Sequence, residues 1–361
     1  MPVTVVVGGQ YGSEGKGKVA AILAREQRVA AVVRVGGPNS GHTPDDPTLP
    51  PLQQLPTAAY ANDAVSVLPP GSYIDNTVLE SEIERTQIGP GLLKVSPYAS
   101  IITQEERDEE FASELGTRIG STQTGTGAAV SRRVMRARRV VLASDVPSLK
   151  PYLTDTSSYL RALVDGGQRV LVEGTQGFGL SVLHGGCYPY ATSRDTSAAG
   201  ALSEAGLSPV DVDDVTMVLR AFPIRVGGHS GPLLDELTWQ QLEVDGEHDH
   251  ELCEYTTVTR RLRRVAHFDP SVVLRAISVN SPTCIVMNHL DYVDHRACIS
   301  GEITDRIESF LVGVQSVLGR RIDRLGLGKG LLCDWPLDLA RPSEAFAQHE
   351  RATGCASTVT R

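Results

Sequence analysis

The 361-residue sequence predicts an α/β protein, built as one large domain around a mostly parallel central sheet with surface excursions. Short apolar runs recur along the chain, and each leads into glycine and polar residues. Unbroken apolar runs of this length are typical of parallel strands buried on both faces. The 41% hydrophobic and 21% charged residues are typical of a globular protein. The sequence shows no internal repeat and no clear linker, so a single domain over residues 1–361 is expected.

The elements are predicted in chain order. The predicted strands are residues 3–7, 30–35, 170–172, 217–219 and 284–287. Residues 17–27, between the first two strands, have a helical pattern, whereas the proline-rich stretch 44–56 is predicted to be a loop. The acidic stretch 236–254 is predicted to be a surface excursion. Parallel sheets bind ligands beyond the carboxyl ends of their strands, so the glycine-rich loops at those ends are the expected site.

Charge and composition exclude several classes of protein. The net charge of −9 argues against a protein that coats nucleic acid. No apolar run approaches the roughly 18 residues that a membrane span needs, and the amino terminus lacks the basic region of a signal peptide. The six cysteines show no CxxC spacing, so reduced thiols in a cytoplasmic protein are expected, with no nucleic-acid or membrane partner.

The first glycine-rich loop, GSEGKGK at residues 12–18, is predicted to bind phosphate. It lies between a strand and a helix, where backbone N–H groups and a lysine can surround phosphate oxygens. The spacing matches a P-loop, but Val19 occupies the position of the magnesium-binding Ser or Thr. Phosphate binding is therefore favoured over an ordinary P-loop NTPase, and a turn that binds no ligand is the alternative.

Two further loops carry candidate functional side chains. His42 lies among glycines after the second strand, where an imidazole can act on a phosphate or a leaving oxygen, although a lone histidine is more often structural. Gln176 follows a third strand, and its amide can bind the edge of a heterocycle. Residues 247–251, EHDHE, resemble a metal-binding cluster, but a solvated loop is the favoured interpretation.

Two arginine-rich stretches can bind carboxylates or phosphates through two-point contacts. The first follows the Gly/Thr loop 120–127, and the second lies at residues 260–264. For the first stretch, solvated helix faces are an equally good interpretation. The second has four arginines within five positions, which favours a function.

Taken together, these loops resemble the adenylosuccinate synthetase family over nearly the whole chain. The stretches that carry the resemblance are GGQYGSEGKGKV, VGGPNSGHT, GSTQTGTGAAVSRRVMR, EGTQGFGLSVLHGGCYPYATSRDTSAAG, RAFPIRVGGHSGPL, VTRRLRRVAHFD and NHLDYVD. The resemblance implies an enzyme that phosphorylates the 6-oxygen of a purine monophosphate, after which aspartate displaces the phosphate. It also implies Mg²⁺, a nucleoside triphosphate and a homodimer around a mostly parallel sheet.

The resemblance assigns roles to individual positions. His42 matches the general acid, and Arg136 matches an arginine that reaches the neighbouring subunit's nucleotide. The positions expected to take part in the reaction are Ser13, Lys16, His42 and Gln176, with Ser13 and Gly41 at the metal. The phosphate donor is assigned to Gly12, Glu14, Gly15, Gly17, Lys18, Asn288, Asp291, Thr353 and Gly354. The purine monophosphate is assigned to Asn39, Ser121, Thr122, Gln176 and Thr192, and aspartate to Val258, Thr259, Arg261 and Arg263.

Ser13 departs from the family pattern. Cellular members have an aspartate there, a base that takes the purine ring proton and binds magnesium. Serine is a poor base, but it is short and neutral, and its oxygen can accept a hydrogen bond from a 2-amino group. In this respect the chain resembles the phage branch of the family, which converts dGMP into 2-aminoadenylosuccinate on the route to diaminopurine DNA. No residue of the sequence is an evident replacement for the missing base.

A second departure concerns the phosphate donor. The family's guanine-reading Lys-x-Asp is His289-Leu290-Asp291 here. Asp291 can still accept two N–H bonds from guanine, but the flanking lysine is missing, which favours ATP or dATP while leaving GTP open. The leading hypothesis is thus a ligase that joins L-aspartate to dGMP. Its alternatives are an ordinary IMP-using, GTP-dependent synthetase and a nucleotide-binding regulatory protein without catalysis.

Overall fold

The computed structural model describes residues 2–61, 63–256, 260–328 and 330–335. Its strands are β1 (Val3–Gly8), β2 (Ala31–Arg34), β3 (Val65–Leu68), β4 (Tyr73–Ile74), β5 (Leu93–Val95), β6 (Ser100–Ile101), β7 (Val170–Glu173), β8 (Val212–Arg220), β9 (Ile224–Arg225), β10 (Glu236–Leu237), β11 (Arg264–Ala266), β12 (Cys284–Asn288), β13 (Arg324–Gly328) and β14 (Leu331–Asp334).

The α-helices separate these strands in chain order. They are α1 (Lys16–Glu26), α2 (Asn76–Thr86), α3 (Gln104–Ala112), α4 (Leu115–Arg118), α5 (Thr126–Val134), α6 (Thr156–Asp165), α7 (Ala198–Ala205), α8 (Trp239–Asp245), α9 (Pro270–Asn280), α10 (Arg296–Ser300) and α11 (Asp305–Leu318). Several helices begin at a side-chain cap, as α2 does at Asp75, whose carboxylate accepts backbone N–H bonds from Thr77 and Val78.

A central sheet of nine strands has the order β14-β13-β12-β8-β1-β7-β2-β3-β5. Its strand pairs are parallel except β13–β14, which is antiparallel. The predicted mostly parallel α/β sheet is therefore confirmed. The strands β1, β2, β7, β8 and β12 all end at the same edge, and that edge carries the predicted loops.

Alternate residues of the central strands pack on opposite faces of the sheet. Val5 and Val33 belong to the larger core, which α6, α7, α9 and α11 cover. Val6 and Val32 face the other way and pack with Val19 and other residues of α1. Burial on both faces is the reason these strands are continuously apolar in sequence.

The five predicted strands are all present, and helix α1 occupies the predicted helical stretch. The proline-rich stretch 44–56 forms no regular strand or helix, as expected. The acidic excursion is more structured than predicted, because it contains β10 and α8 and forms a small core of its own around Leu242 and Leu252. The cysteines in the described part of the chain are free thiols, as expected.

Candidate active site

The loop between β1 and α1 has the backbone geometry of an anion-binding turn. Gly12 and Gly15 have φ values of 93° and 85°, a region open to glycine at little cost, and Ser13 shares the left-handed conformation at 58°. Helix α1 begins directly after Gly15. The free N–H groups at this helix start face the loop, which supports the prediction of phosphate binding.

The buried side chain of Glu14 holds the backbone of this loop in place. Its buried carboxylate accepts N–H bonds from Gln10 (3.2 Å) and Gly12 (2.8 Å), and the Lys16 ammonium donates to it at 2.7 Å. A side chain at Gly8 or at Gly177 would collide with this carboxylate. Glu14 is therefore a structural partner of the loop, and its carboxylate is already engaged.

The two lysines of the loop have different surroundings. The Lys16 ammonium lies inside the loop on Glu14, whereas the Lys18 ammonium donates to the backbone carbonyls of Gly328 (2.8 Å) and Leu331 (3.0 Å) in the β13–β14 hairpin. Burial lowers the pKa of Lys18 to about 8, although the nearby Asp291 carboxylate opposes that shift. Lys16 is thus buried inside the loop on Glu14, and Lys18 connects the loop to the hairpin.

Ser13 lies exposed at the top of the loop. Its backbone carbonyl accepts a hydrogen bond from the Arg220 guanidinium at 3.1 Å. Its hydroxyl has no hydrogen-bond partner within the described part of the chain. The side chain is therefore free to contact a ligand.

His42 is held by two charged residues that the sequence analysis did not single out. Its Nδ1 lies 2.6 Å from a Glu173 carboxylate oxygen, and its Nε2 lies 3.2 Å from an Arg34 guanidinium nitrogen. Arg34 and Glu173 are paired in register at the ends of β2 and β7, which brings both to the loop edge. Thr57 also donates its N–H and hydroxyl to Glu173, at 3.0 and 3.1 Å.

The electrostatics of this cluster keep the imidazole neutral. Burial and the Arg34 guanidinium lower the pKa of His42 to about 4, against the opposing effect of Glu173. Burial alone would raise the pKa of Glu173, but the contacts with His42 and Arg34 lower it overall. Glu173 is therefore an anion that accepts the Nδ1–H of His42, and the unprotonated Nε2 accepts a hydrogen bond from Arg34.

The predicted monophosphate residues surround the same edge. Gln176 has φ of 57° and lies beside Gly12, since a side chain at Gly12 would touch its Cα. Gly37, in the loop that carries Asn39, packs against Thr126 of the Gly/Thr loop. The half-buried residues on these loops include the predicted set Asn39, Ser121, Thr122, Gln176 and Thr192. The structure thus brings together loops that are far apart in sequence.

The Gly/Thr loop is fixed by a second buried carboxylate. Glu110 on α3 accepts backbone N–H bonds from Gly125, at 2.8 Å, and from Gly127. Within the loop, the Ser121 hydroxyl accepts the N–H of Gln123 at 3.2 Å, and the Thr122 hydroxyl lies 3.5 Å from that of Thr124. The loop therefore carries the Ser121 and Thr122 hydroxyl groups on a backbone that Glu110 holds in place.

The predicted aspartate loop joins the phosphate loop through Glu254. The Glu254 carboxylate accepts hydrogen bonds from Arg220, Arg263 (2.7 Å) and the Tyr292 hydroxyl (2.8 Å). Burial alone would raise the pKa of Glu254, but Arg220 and the other cations hold it far below its usual range. Arg261 is exposed, and Val258 and Thr259 lie outside the described residues.

The predicted donor-base pocket lies at the end of β12. The Asn288 amide donates to the Glu14 carbonyl at 2.8 Å, which ties this strand to the phosphate loop. One carboxylate oxygen of Asp291 is buried without a hydrogen-bond partner in the described part of the chain, and burial raises the pKa of Asp291. Burial lowers the pKa of His289 to about 3, so this imidazole is neutral. Thr353 and Gly354 lie outside the described residues.

Arg136 is exposed on the surface, directly after α5. Its neighbours Val134 and Met135 expose 71% and 74% of their surfaces. By contrast, Arg132 and Arg133 of the same stretch bond within the chain, to Glu109 and to the Ser100 hydroxyl respectively. Arg136 is thus exposed, whereas these two arginines are engaged within the chain.

The donors predicted for magnesium are oxygen atoms, as that ion prefers. They are the exposed Ser13 hydroxyl and the carbonyl of the half-buried Gly41. No carboxylate is among them, since Glu14 is engaged with backbone N–H groups and Lys16. These donors fit an ion that takes most of its ligands from phosphates and water, which is the usual arrangement for Mg²⁺.

The sequence analysis missed five residues of the site. They are Arg34, Glu173, Arg220, Glu254 and Tyr292. A sequence signal exists for two of them, because Arg34 and Glu173 are single charges that end otherwise apolar strands. A charge buried at that position needs a partner and faces the ligand-binding edge.

No helix in the described part of the chain is long and apolar enough to cross a membrane.

A parallel sheet with a phosphate loop, a buried His–Glu pair and arginines at one edge defines the class: a nucleotide-binding α/β enzyme. The sequence profile described as "Adenylosuccinate synthetase" matches residues 5–145 and 141–308. The chain belongs to the adenylosuccinate synthetase family. It is therefore a ligase of the type that forms a carbon–nitrogen bond in purine biosynthesis and depends on a nucleotide and Mg²⁺.

Known relatives are similar over most of their length. An adenylosuccinate synthetase of Methanococcus vannielii is 35% identical over 340 residues, which is 92% of this chain and 97% of the relative. One of Thermococcus onnurineus is 38% identical over 302 residues, covering 82% and 86% of the two chains.

Two solved structures share the fold. Fully ligated adenylosuccinate synthetase from Plasmodium falciparum has a TM-score of 0.80 at 22% identity, covering 91% of this chain and 98% of that chain. Cyanophage S-2L succinoaminodeoxyadenylate synthetase, bound to dGMP and dATP, has a TM-score of 0.77 at 28% identity, covering 97% and 99%.

Proposed function

We propose that the enzyme joins L-aspartate to the 6-position of dGMP, with ATP or dATP as phosphate donor. The product is 2-amino-2'-deoxyadenylosuccinate, an intermediate for diaminopurine DNA. The observation that carries this proposal is Ser13, at the position where cellular members of the family have an aspartate. Its hydroxyl is exposed and makes no hydrogen bond within the described residues, so it is free to accept one from a purine 2-amino group.

The comparisons support two versions of this activity. The cyanophage relative, whose structure holds dGMP and dATP, is similar over nearly the full length of both chains. The archaeal relatives, at higher identity, are named adenylosuccinate synthetases. Ordinary GTP-dependent synthesis from IMP is therefore the second candidate, and the retained Asp291 is the residue that favours it.

The proposed reaction has two steps. The γ-phosphoryl group passes to the purine 6-oxygen, and the aspartate amine then attacks carbon 6 and displaces phosphate. In this proposal His42 keeps its Nδ1–H on Glu173 and donates to the 6-oxygen through Nε2 after the ring takes up a second proton. The negative charge of the phosphoryl group beside the ring favours that protonated form. Lys16 and the loop N–H groups neutralise phosphoryl charge, and Mg²⁺, held by Ser13 and the Gly41 carbonyl, supplies further neutralisation when bound.

The remaining predicted residues bind the substrates in this proposal. The loops carrying Asn39, Ser121, Thr122, Gln176 and Thr192 hold dGMP. Arg263 and Arg261, with Val258 and Thr259, bind the carboxylates of aspartate. Arg136 completes the dGMP site of a second subunit, which makes the enzyme a homodimer. We also propose that residues 1–361 act as one domain in the cytoplasm, that of the host if the chain is phage-encoded.

A substrate panel tests the proposal. The protein is incubated with aspartate, Mg²⁺ and either dGMP or IMP, each with ATP, dATP or GTP, and the product is identified by mass spectrometry. We expect the succinylated product of dGMP, formed with ATP or dATP. Turnover of IMP alone would establish the second candidate, and no product from either nucleotide would indicate a regulatory protein.

A further inference from the structure

Three histidines meet where the surface excursion contacts the segment after β12, outside the site described above. His248 and His250 follow α8, and His295 directly precedes α10. One ring nitrogen from each lies within 4.8 Å of the others. The ring centroids of His248 and His295 are 4.7 Å apart, and those of His250 and His295 are 5.1 Å apart. The tertiary fold therefore joins residues nearly fifty positions apart.

His248 is unusual within this cluster. Both of its ring nitrogens are buried, and neither has a hydrogen-bond partner in the described part of the chain. Buried polar atoms are nearly always paired, and an imidazole always has at least one nitrogen that can accept a bond or a metal ion unless it is protonated.

The charges around the cluster suit a cation. Asp249 lies between the other two histidines, with one carboxylate oxygen 2.8 Å from Nδ1 of His250 and 3.3 Å from Nε2 of His295. The nearby Arg296 guanidinium is paired with Asp294 at 2.8 Å, so it is not an unbalanced charge beside the histidines. Three imidazoles with an adjacent carboxylate form a typical ligand set for zinc.

We propose that His248, His250 and His295 bind a divalent transition-metal ion of the zinc type, with Asp249 or water as the fourth ligand. Zinc–nitrogen distances of about 2.0–2.1 Å place tetrahedral ligand nitrogens roughly 3.3 Å apart, so the cluster must contract on binding. His250 is exposed and can supply that movement. For residues 247–251 this proposal takes the metal-binding alternative rather than the solvated loop that the sequence favoured.

The ion would link the excursion to the segment that carries the donor-base pocket. The His248 ring packs edge-on against Tyr292, with centroids 6.0 Å apart, and the Tyr292 hydroxyl donates to Glu254. Nitrogen ligands also separate this site from the oxygen-lined magnesium position. Metal bound here therefore acts as a structural tie, independent of the proposed substrate.

Zinc titration of chelator-treated protein, in competition with a chromophoric chelator, tests the site. We expect one tight equivalent of Zn²⁺, a rise in Tm on binding, and a Co²⁺ form with the visible absorption of a tetrahedral ion. The His250→Ala variant removes an exposed ligand and should weaken zinc binding roughly 100-fold while remaining folded.

The matched control is His267→Ala, which removes another exposed histidine, outside the cluster. It should bind zinc as the unmodified protein does. Circular dichroism of the metal-free proteins checks that both variants fold. If the unmodified protein binds no tight equivalent, or if His250→Ala binds zinc with unchanged affinity, the proposal is overturned.

Discussion

Single buried charges decide what the candidate site can do. His42 is only 7% exposed and lies between an anion and a cation, Glu173 and Arg34. Glu14 likewise fixes Lys16 in the phosphate loop. Ser13, by contrast, is exposed and has a free hydroxyl within the described residues. His42 and Lys16, which are held by buried charges, thus define the chemistry. Ser13, whose hydroxyl is free, is in a position to define the substrate.

Replacing Ser13 by aspartate should weaken the use of dGMP. The larger, charged side chain fills the space proposed for the 2-amino group, and we expect kcat/KM for dGMP to fall about tenfold or more. Aspartate tolerates the left-handed backbone of this position, so the fold should persist. Steady-state kinetics with dGMP and IMP measure the effect.

Ser13→Ala is the matched control for that variant. It keeps the space and removes only the hydroxyl, so a loss of roughly twofold to tenfold is expected for one hydrogen bond. If Ser13→Asp leaves dGMP kinetics unchanged, position 13 does not select the substrate.

The Glu173→Gln variant should lower kcat roughly 100-fold with little change in KM. The amide keeps the shape of the side chain but loses the charge that orients and stabilises His42, a positioning role. Single-turnover and steady-state kinetics separate the two parameters. Glu82→Gln is the control, since Glu82 is another buried carboxylate that accepts backbone N–H bonds. Equal losses in both variants would indicate a purely structural effect.

Acid should destabilise the protein through His42. Because its pKa falls from 6.5 to about 4 on folding, the unfolded chain takes up a proton that the folded protein does not. The contribution of His42 to the free energy of unfolding is fully present above pH 6.5. It decreases as the pH falls towards 4, by on the order of 3 kcal/mol. His289 acts in the same direction.

The His42→Gln variant tests this sign. The difference in Tm between pH 7.5 and pH 5 should become smaller in the variant, although His289 preserves part of it. An unchanged difference would show that His42 is not responsible for the acid sensitivity.

At the scale of elements, Glu254 connects the loop after β1 with the segment proposed to bind aspartate. It binds the buried Arg220, which also holds the phosphate loop through the Ser13 carbonyl. It also binds Arg263 of the segment proposed to receive aspartate. Arg263 must therefore exchange Glu254 for a substrate carboxylate, or share both, when aspartate binds.

Arg263→Ala should raise the KM for aspartate roughly 10-fold to 100-fold, the value of a charge-assisted hydrogen bond. The KM for the purine nucleotide should change little. Glu254 keeps Arg220 and Tyr292 as partners, so the fold should be retained. Arg260→Ala removes an equal charge from the same segment and serves as the control. An unchanged KM for aspartate in Arg263→Ala would contradict the assignment.

At the scale of the whole molecule, Arg136 links activity to assembly. It is exposed beside the exposed apolar residues Val134 and Met135. In a two-fold symmetric dimer, each subunit can complete the site of the other. In the proposed homodimer, the activity of each site would therefore depend on both subunits.

Mixing two inactive variants tests this arrangement. Arg136→Ala and His42→Gln subunits should each be inactive, but after exchange a mixed dimer contains one intact site. Equal amounts should restore about a quarter of the unmodified activity. No recovery despite subunit exchange, shown by tagged subunits, would place Arg136 outside a shared site.

The sequence by itself determined the family, the glycine-rich loop after β1, and five of the nine strands that form the central sheet in the described residues. Apolar runs buried on both faces and glycine turns are local patterns, so β1, β7 and the loop at residues 12–18 are recognisable without the fold. The positions of His42 and Gln176 at strand ends were equally evident. These features depend on neighbours in the chain.

Only the tertiary structure decided which charges meet. Glu173 reaches His42 because β2 and β7 pair in register, and Glu254 reaches Arg220 from a separate excursion. The histidine cluster likewise needs His295 to approach His248 across the fold. A buried charge or imidazole must find a partner, but strand register and packing, which no local pattern encodes, determine which partner it finds.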